Sequence, residues 1–189
     1  MCETFVPESS RGDFLRRAGA GLLGLATASI PRFATASASD ERVLWLHNAQ
    51  TGESVSAPFT LDGKWIYKPG YYQICRILRD TNVPLSIGDV QFDVRAIQAL
   101  YEVQQVLAVV GVHRPIEVYS GYRTQWTNAS VEGAVYSYHT RAAAVDFGVD
   151  GVSMAYLWSV CNSRPIAGGI GYYASHIHVD SGPRRYWSG

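Results

Sequence analysis

The sequence predicts an α+β fold, one domain with a small, mostly antiparallel sheet and flanking helices. Three observations carry this. Strand-length apolar runs recur from Glu41 to the C-terminus, several of them separated by turn residues. Three segments of helical character are interspersed among them rather than gathered at one end. At 189 residues the chain can build one sizeable core and is too short for two.

In chain order, Glu41–His47 reads as a strand, residues 48–52 as a turn, and Ser54–Leu61 as extended again. Asp62-Gly63 is a hairpin signal before a further strand over Lys64–Tyr67. Pro69 opens a helix expected to reach Asp80, since proline is tolerated in a first turn. A longer helix covers Phe92–Val110. There Ile97, Leu100, Val103, Leu107 and Val110 recur at steps of three and four and form one stripe. Gly111 stops it. Pro115–Tyr119 is a short strand, Ala142–Val149 another, and Ser153 caps a helix running to Ser163. Gly168–Tyr173 and His176–Asp180 close the chain as two short adjacent strands.

Composition excludes some functions. Basic and acidic residues balance at 16 each, so nothing in the charge points to nucleic acid. Three cysteines are too few for a disulfide scaffold. Cys75 and Cys161 sit in apolar, helix-like surroundings and read as two buried thiols rather than a disulfide.

Residues 1–38 read as an export signal, which leaves a domain over residues 39–189. Arg11, Arg16 and Arg17 precede the Gly/Ala/Leu run Ala18–Ile30, and Ala36-Ser37-Ala38 is an A-x-A cleavage site. The run is too short for a mature membrane span of about 20 apolar residues. Ser10–Arg16 resembles the twin-arginine signal S-R-R-x-F-L-K, with Gly12 in place of the second arginine. General secretion is the alternative route, and both end outside the cytoplasm, with the periplasm as the expected location.

The residues suited to chemistry fall in two segments. His139 and Asp146 lie seven apart, and His176-Ile177-His178-Val179-Asp180 follows near the C-terminus. Side chains alternate along a strand, so His176, His178 and Asp180 share one face while Ile177 and Val179 point into the core. Asp146 sits within an apolar run, where a carboxylate costs free energy unless it is paired or bound to a cation. A catalytic zinc needs about three such ligands and one open position, which two imidazoles and a carboxylate from these segments supply. A buried ion pair between Asp146 and Arg123 or Arg141 is the plainer alternative.

The order of motifs over residues 41–187 resembles the MepK/YcbK-like murein endopeptidases. These fall within the wider group of zinc D-Ala-D-Ala carboxypeptidases, VanX-type dipeptidases and LytM-like enzymes. The pattern S-G-Y-R, S-x-H-x-x-G-x-A-x-D, G-G-V-G-Y-Y, H-V-D-x-G and R-x-W is met in turn. It reads here as Ser120–Arg123, Ser137–Asp146, Gly168–Tyr173, His178–Gly182 and Arg185–Trp187. The resemblance implies the fold of the Hedgehog and D-Ala-D-Ala-peptidase proteins, with His139, Asp146 and His178 as zinc ligands. It implies metal-assisted hydrolysis of peptide cross-links in peptidoglycan, and the sequence makes no partner protein evident. His176, or failing it Asp180, would take the proton from the attacking water, Asp180 otherwise orienting a ligand imidazole. Arg123 would neutralise negative charge on substrate or intermediate. Tyr122, Trp126, Ser137, Tyr172 and Tyr173 are the expected substrate contacts. Trimming of free stems by a carboxypeptidase or dipeptidase fits the same residues, as does a weakly active wall-binding module. Two departures stand out. Ala142 replaces the glycine of S-x-H-x-x-G, where a positive φ would strain a methyl-bearing residue. The stretch between Asn128 and Ser137 is also short for the family.

Overall fold

In the computed structural model, residues 40–163 and 168–189 are described, so the expected export signal over residues 1–38 lies outside the described residues. Seven strands form one sheet: β1 Arg42–Asn48, β2 Ser54–Thr60, β3 Ile116–Ser120, β4 Ala144–Gly148, β5 Gly169–Tyr172, β6 Ile177–Asp180 and β7 Arg185–Ser188. Their order is β2-β1-β3-β4-β6-β5-β7. The β1/β3 and β5/β7 pairs are parallel and the other four antiparallel, so the architecture is α+β with a mixed, mainly antiparallel sheet. The helices are α1 Lys68–Ile77, α2 Leu85–Gly88, α3 Val94–Val109, α4 Gln125–Ser130 and α5 Met154–Asn162, with a 3-10 turn at His139–Arg141.

Alternation sorts the sheet's residues. Leu44, Leu46, Ile116, Val118, Val145, Phe147, Ile170, Ile177 and Val179 are all buried and share one core with Ile74, Ile97, Leu100, Leu107 and Leu157 from the helices. The registers Val118 to Phe147, Phe147 to Ile177 and Val179 to Ile170 keep them on the same face. Each such side chain contributes roughly 1.5–3 kcal/mol on burial. The opposite face of the central strands is thereby left for polar groups. Cys75 and Cys161 are buried thiols with no disulfide between them. Among the described residues no helix is long and apolar enough to cross a membrane.

Several boundaries differ from expectation for identifiable reasons. The helix from Pro69 ends at Ile77 rather than Asp80: the Leu78 carbonyl accepts the Tyr122 N–H, the Asp80 N–H donates to the Gly88 carbonyl, and the chain beyond is held by the Asp80 carboxylate. That carboxylate accepts from the Thr124 N–H (2.8 Å), the Thr124 hydroxyl (3.0 Å) and the Asn82 N–H (3.0 Å), and so brackets the loop after β3 against the end of α1. Burial raises the Asp80 carboxyl, yet these bonds outweigh it and hold it below its usual range. Asp62 and Gly63 do form a turn, with φ +72° at Gly63, but Lys64–Tyr67 add only a single bridge, Ile66 to Thr60, not a strand. Instead, one Asp62 carboxylate oxygen accepts the N–H groups of Lys64 and Trp65, which curls the segment. The strand expected from Ala142 begins at Ala144, because Ala142 is left-handed (φ 51°, ψ 44°). The predicted cap is present, the Ser153 hydroxyl accepting from the Tyr156 N–H.

Candidate metal centre

On the face of the sheet turned away from the core, one row crosses five strands. Ser120 of β3 pairs with Asp146 of β4, Asp146 with His178 of β6, His178 with Gly171 of β5, and Gly171 with Trp187 of β7. Asp146 and His178 are therefore direct cross-strand neighbours. His139 comes from the 3-10 turn above them, in a loop whose position is set by Gly121. A Cβ on Gly121 would lie 2.2 Å from the Leu78 carbonyl oxygen, so only glycine lets β3's exit pack on the end of α1. The Gly121 carbonyl in turn accepts from His139 Nδ1 at 2.7 Å.

That contact fixes the chemistry of the imidazole. A carbonyl only accepts, so Nδ1 carries the hydrogen and Nε2 presents a lone pair. His178 is held in the opposite sense, with Nε2 donating to Asp180 Oδ2 at 3.1 Å and Nδ1 facing inward. Asp180 is wholly buried, and its oxygens also accept from both Nη atoms of Arg185 and the N–H groups of Gly169 and Gly182. Burial opposes its ionisation, but these bonds dominate and place the carboxyl far below its usual range.

Three lone-pair atoms therefore converge. His139 Nε2 lies 3.1 Å from Asp146 Oδ1 and 3.1 Å from His178 Nδ1, and the last two are 2.8 Å apart. All three residues are buried. A tetrahedral zinc with ligands at its usual bond lengths needs edges of about 3.3–3.5 Å, so the two imidazole–carboxylate edges and the imidazole–imidazole edge would open by roughly 0.2–0.7 Å. Acceptors this close, away from water, repel one another unless a proton or a cation sits between them. Two imidazoles and one carboxylate form a donor set suited to zinc, and the fit is good. With a proton instead, His178 takes the role. Burial lowers its pKa, but its bonds to Asp146 and Asp180 outweigh that and raise it above 6.5. Burial likewise raises the Asp146 carboxyl, and its interactions with His139 and His178 more than reverse this, leaving it well below the carboxylate range.

The other sequence-identified residues surround this triad. Arg123 pairs with Asp146 Oδ2 through Nη2, and its Nε donates to Ser120 Oγ at 2.7 Å. The ion pair expected as the plainer alternative thus coexists with the triad, turning Oδ1 toward the imidazoles. His176 precedes β6, with Nε2 3.8 Å from Asp146 Oδ1 and its ring stacked on Tyr173 (centroids 4.4 Å apart, planes 13°). Partial burial lowers its pKa, against the pull of Asp146. Ser137 and Tyr173 line the cleft over the triad, whose volume is about 750 Å³. Tyr122 and Tyr172 do not. Both pack against the core, and Tyr172 meets Trp158 edge-on. Trp126 is largely exposed and is not among the cleft's lining residues.

Glu132, Tyr136, Tyr138, Arg185 and Trp187 complete the walls. The sequence carried a signal for two of them. Arg185-Tyr186-Trp187 alternates like a strand, placing Arg185 and Trp187 on one face of β7. The β5 glycines make room for both. A Cβ on Gly171 would meet the Trp187 ring at 2.6 Å, and one on Gly169 would meet Asp180 Oδ2 at 2.4 Å. Trp187 Nε1 donates to the Tyr173 hydroxyl at 2.8 Å, and its ring lies 5.1 Å from His178. Glu132 and Tyr136 lie in a loop with no periodicity to mark them.

A family model described as Peptidoglycan L,D-endopeptidase MepK (Peptidase_M15_2) matches residues 36–187. The peptidoglycan L,D-endopeptidase MepK of Escherichia coli strain K12 is 35% identical over 178 residues, spanning 89% of this chain and 92% of its own. The probable peptidoglycan L,D-endopeptidase MepK of Haemophilus influenzae is 32% identical over 174 residues, 88% and 90% of the two chains.

Proposed function

The chain belongs to the family of the peptidoglycan L,D-endopeptidase MepK, and from that membership and the site's geometry we propose that it is a zinc-dependent endopeptidase cutting L,D cross-links between peptidoglycan stems. The observation that carries the reading is the meeting of His139 Nε2, Asp146 Oδ1 and His178 Nδ1, each with its remaining polar atoms fixed by another group. Bound there, zinc would acidify a water to a pKa of about 7 and polarise the scissile carbonyl.

The chain's own residues do the rest. His176 borders the triad with an imidazole whose lowered pKa keeps it neutral at pH 7, ready to take the proton of the attacking water and return it to the leaving amine. Its stacking on Tyr173, itself held by Trp187, fixes the ring's plane. Asp180, the alternative base, has every oxygen engaged and no exposure, which suits the orienting of His178. Arg123 steadies Asp146 and brings positive charge to the cleft wall, where negative charge develops on the substrate. Ser137 and Tyr173 contact the stem peptide.

An L,D link joins an acyl group at an L centre to an amine at a D centre, the 3-3 type of cross-link. The substrate lies outside the cytoplasm, which agrees with an export signal over residues 1–38 and a periplasmic location; the family match begins at residue 36. Incubation with purified 3-3 and 4-3 cross-linked dimers, with zinc and with chelator, tests the reading by mass spectrometry. Zinc-dependent conversion of 3-3 dimers to monomers is expected. Shortened stems with intact dimers would instead make it a carboxypeptidase.

A further inference from the structure

The metal cleft is one of three depressions that share walls. Tyr138 lines the cleft and also a second hollow of about 520 Å³. Arg95, Ser181 and Gly182 line that hollow and a third groove of about 630 Å³, which extends to Trp65. Their shared residues set the three side by side from the triad to the Asp62–Tyr67 segment, a row that we call the trough. The whole chain has no net charge, yet the second and third hollows are lined by Arg42, Lys64, Arg95, Arg141 and Arg184 against Asp93 and Glu102, with Asp40 and Asp62 beside Gly63 at the edge of the third. Asp93 is paired with Arg95. Arg42 donates to a neutral group, Gln98 Oε1, at 2.7 Å, and the Arg141 guanidinium lies over the Tyr138 ring at 5.1 Å.

At the far end Trp65 is 78% exposed, on a segment whose backbone is held by hydrogen bonds. Asp62 Oδ1 accepts the N–H groups of Lys64 and Trp65 at 2.9 Å each, and the Tyr67 N–H returns to the Phe59 carbonyl. The same segment also leaves Leu61, Ile66 and Tyr67 exposed, and an apolar patch of this kind, with an indole in water, marks a contact site.

We propose that this trough is an extended substrate site that holds the anionic peptidoglycan strand beyond the bond being cut. The free carboxylates of the stem run along Arg141, Arg42 and Lys64, and a pyranose ring lies against the flat face of Trp65. The inference rests on the peptidase reading above. It is matched by chemistry on both sides. Stem peptides carry several carboxylates, and sugar rings present an apolar C–H face to an aromatic plane. Cationic side chains in a shallow trough add affinity and orientation that salt weakens. A second, weak attachment next to the cleft also raises the local concentration of cross-links at the metal.

The test compares the protein with its Lys64→Glu and Trp65→Ala variants, both at exposed positions, with thermal unfolding as a check of folding. Co-sedimentation with isolated sacculi is measured at low and high salt, and cleavage of soluble cross-linked dimers serves as reference. The expected result is sacculus binding weakened about tenfold or more in each variant. Lys64→Glu should also flatten the salt dependence, and cleavage of sacculi should fall relative to cleavage of dimers. Variants that bind sacculi as tightly as the parent, with the same salt dependence, overturn the proposal. So does loss of binding to phosphatidylglycerol vesicles with sacculus binding intact, which would assign the trough to a membrane. Failure of the peptidase reading shows separately, as soluble dimers left whole by the zinc-loaded parent. The sacculus-binding comparison still decides the trough in that case.

Discussion

The floor and the lip of the cleft are built differently. On the floor, Asp146 and His178 face each other across the β4/β6 ladder, and Gly121, Asp180 and Arg123 fix the outward atoms of the three ligand groups. Along the lip, residues 131–136 have no regular structure, and Val135 and Tyr136 are 79% and 81% exposed. Glu132 there is held at φ 53°, a strained value for a residue with a Cβ. The lip is tied down by Asn128, whose carbonyl accepts the Gly133 N–H and whose Nδ2 donates to the Ala134 carbonyl, while its buried Oδ1 has no partner. Asp146 and His178 are set by a sheet register and cannot shift their backbones without unpairing strands, whereas the lip hangs on a few turn hydrogen bonds and the Asn128 side chain. The floor is fixed by strand pairing and buried polar contacts, and the lip by turns at the cleft's edge.

The contrast breaks most sharply at the floor. Asp146→Ala removes a ligand and leaves Arg123 and two imidazoles without their shared partner. Changes in groups that merely orient ligands cost about 10–100-fold in metal affinity, so this one should exceed 100-fold and abolish hydrolysis. Zinc titration followed by calorimetry reads it directly.

A proton competes with metal on that floor. His178 has a raised pKa, so the metal-free protein keeps its proton to a higher pH than an ordinary histidine does. Zinc must displace that proton. Apparent affinity should weaken by about tenfold per pH unit as pH falls below the raised pKa and level off above it. Calorimetry in buffers of different ionisation enthalpy should count about one proton released per zinc on the acid side. A flat profile would mean that His178 is not a ligand.

The lip should respond in another currency. Tyr136→Ala should raise KM about three- to tenfold, with kcat and zinc affinity unchanged, as for a contact made equally in ground and transition states. A fall in kcat alone would place Tyr136 at the reacting bond.

The smallest effect is expected at Ala142, where strain touches the floor itself. A left-handed alanine costs roughly 1–2 kcal/mol, and its buried methyl returns about 0.8 kcal/mol, so Ala142→Gly should raise stability by about 1 kcal/mol or less. Zinc affinity should not move, because the turn already delivers His139 to the triad. Tighter zinc binding in this variant would show that the methyl displaces the ligand.

The two regions also differed in how far the sequence revealed them. His176, His178 and Asp180 were legible because strand alternation separates them from Ile177 and Val179, and Asp146 because it is a carboxylate within an apolar run, each a property of one segment alone. The same parity placed Tyr172 with Ile170 on the core side and Tyr173 on the other, although adjacent tyrosines look equivalent in composition. What joins Asp146 to His178 is a register between strands about thirty residues apart, which local pattern does not encode. The role of Gly169 and Gly171 likewise depends on β7 lying beside β5, a parallel pairing that nothing local announces. Helix α1 stopped short because the Leu78 carbonyl is taken by the Tyr122 N–H, more than forty residues away. The lip has no period at all, and its residues acquire a role only once the cleft exists.

A metal held by His139 Nε2, Asp146 Oδ1 and His178 Nδ1 underlies the proposed chemistry. X-ray absorption at the zinc edge on the loaded protein, beside its His178→Ala variant, tests it most directly. The expected result is one zinc per chain with two imidazole and two oxygen ligands at about 2.0–2.2 Å, and one imidazole lost in the variant. A sulfur ligand, or an unchanged spectrum in the variant, would contradict it.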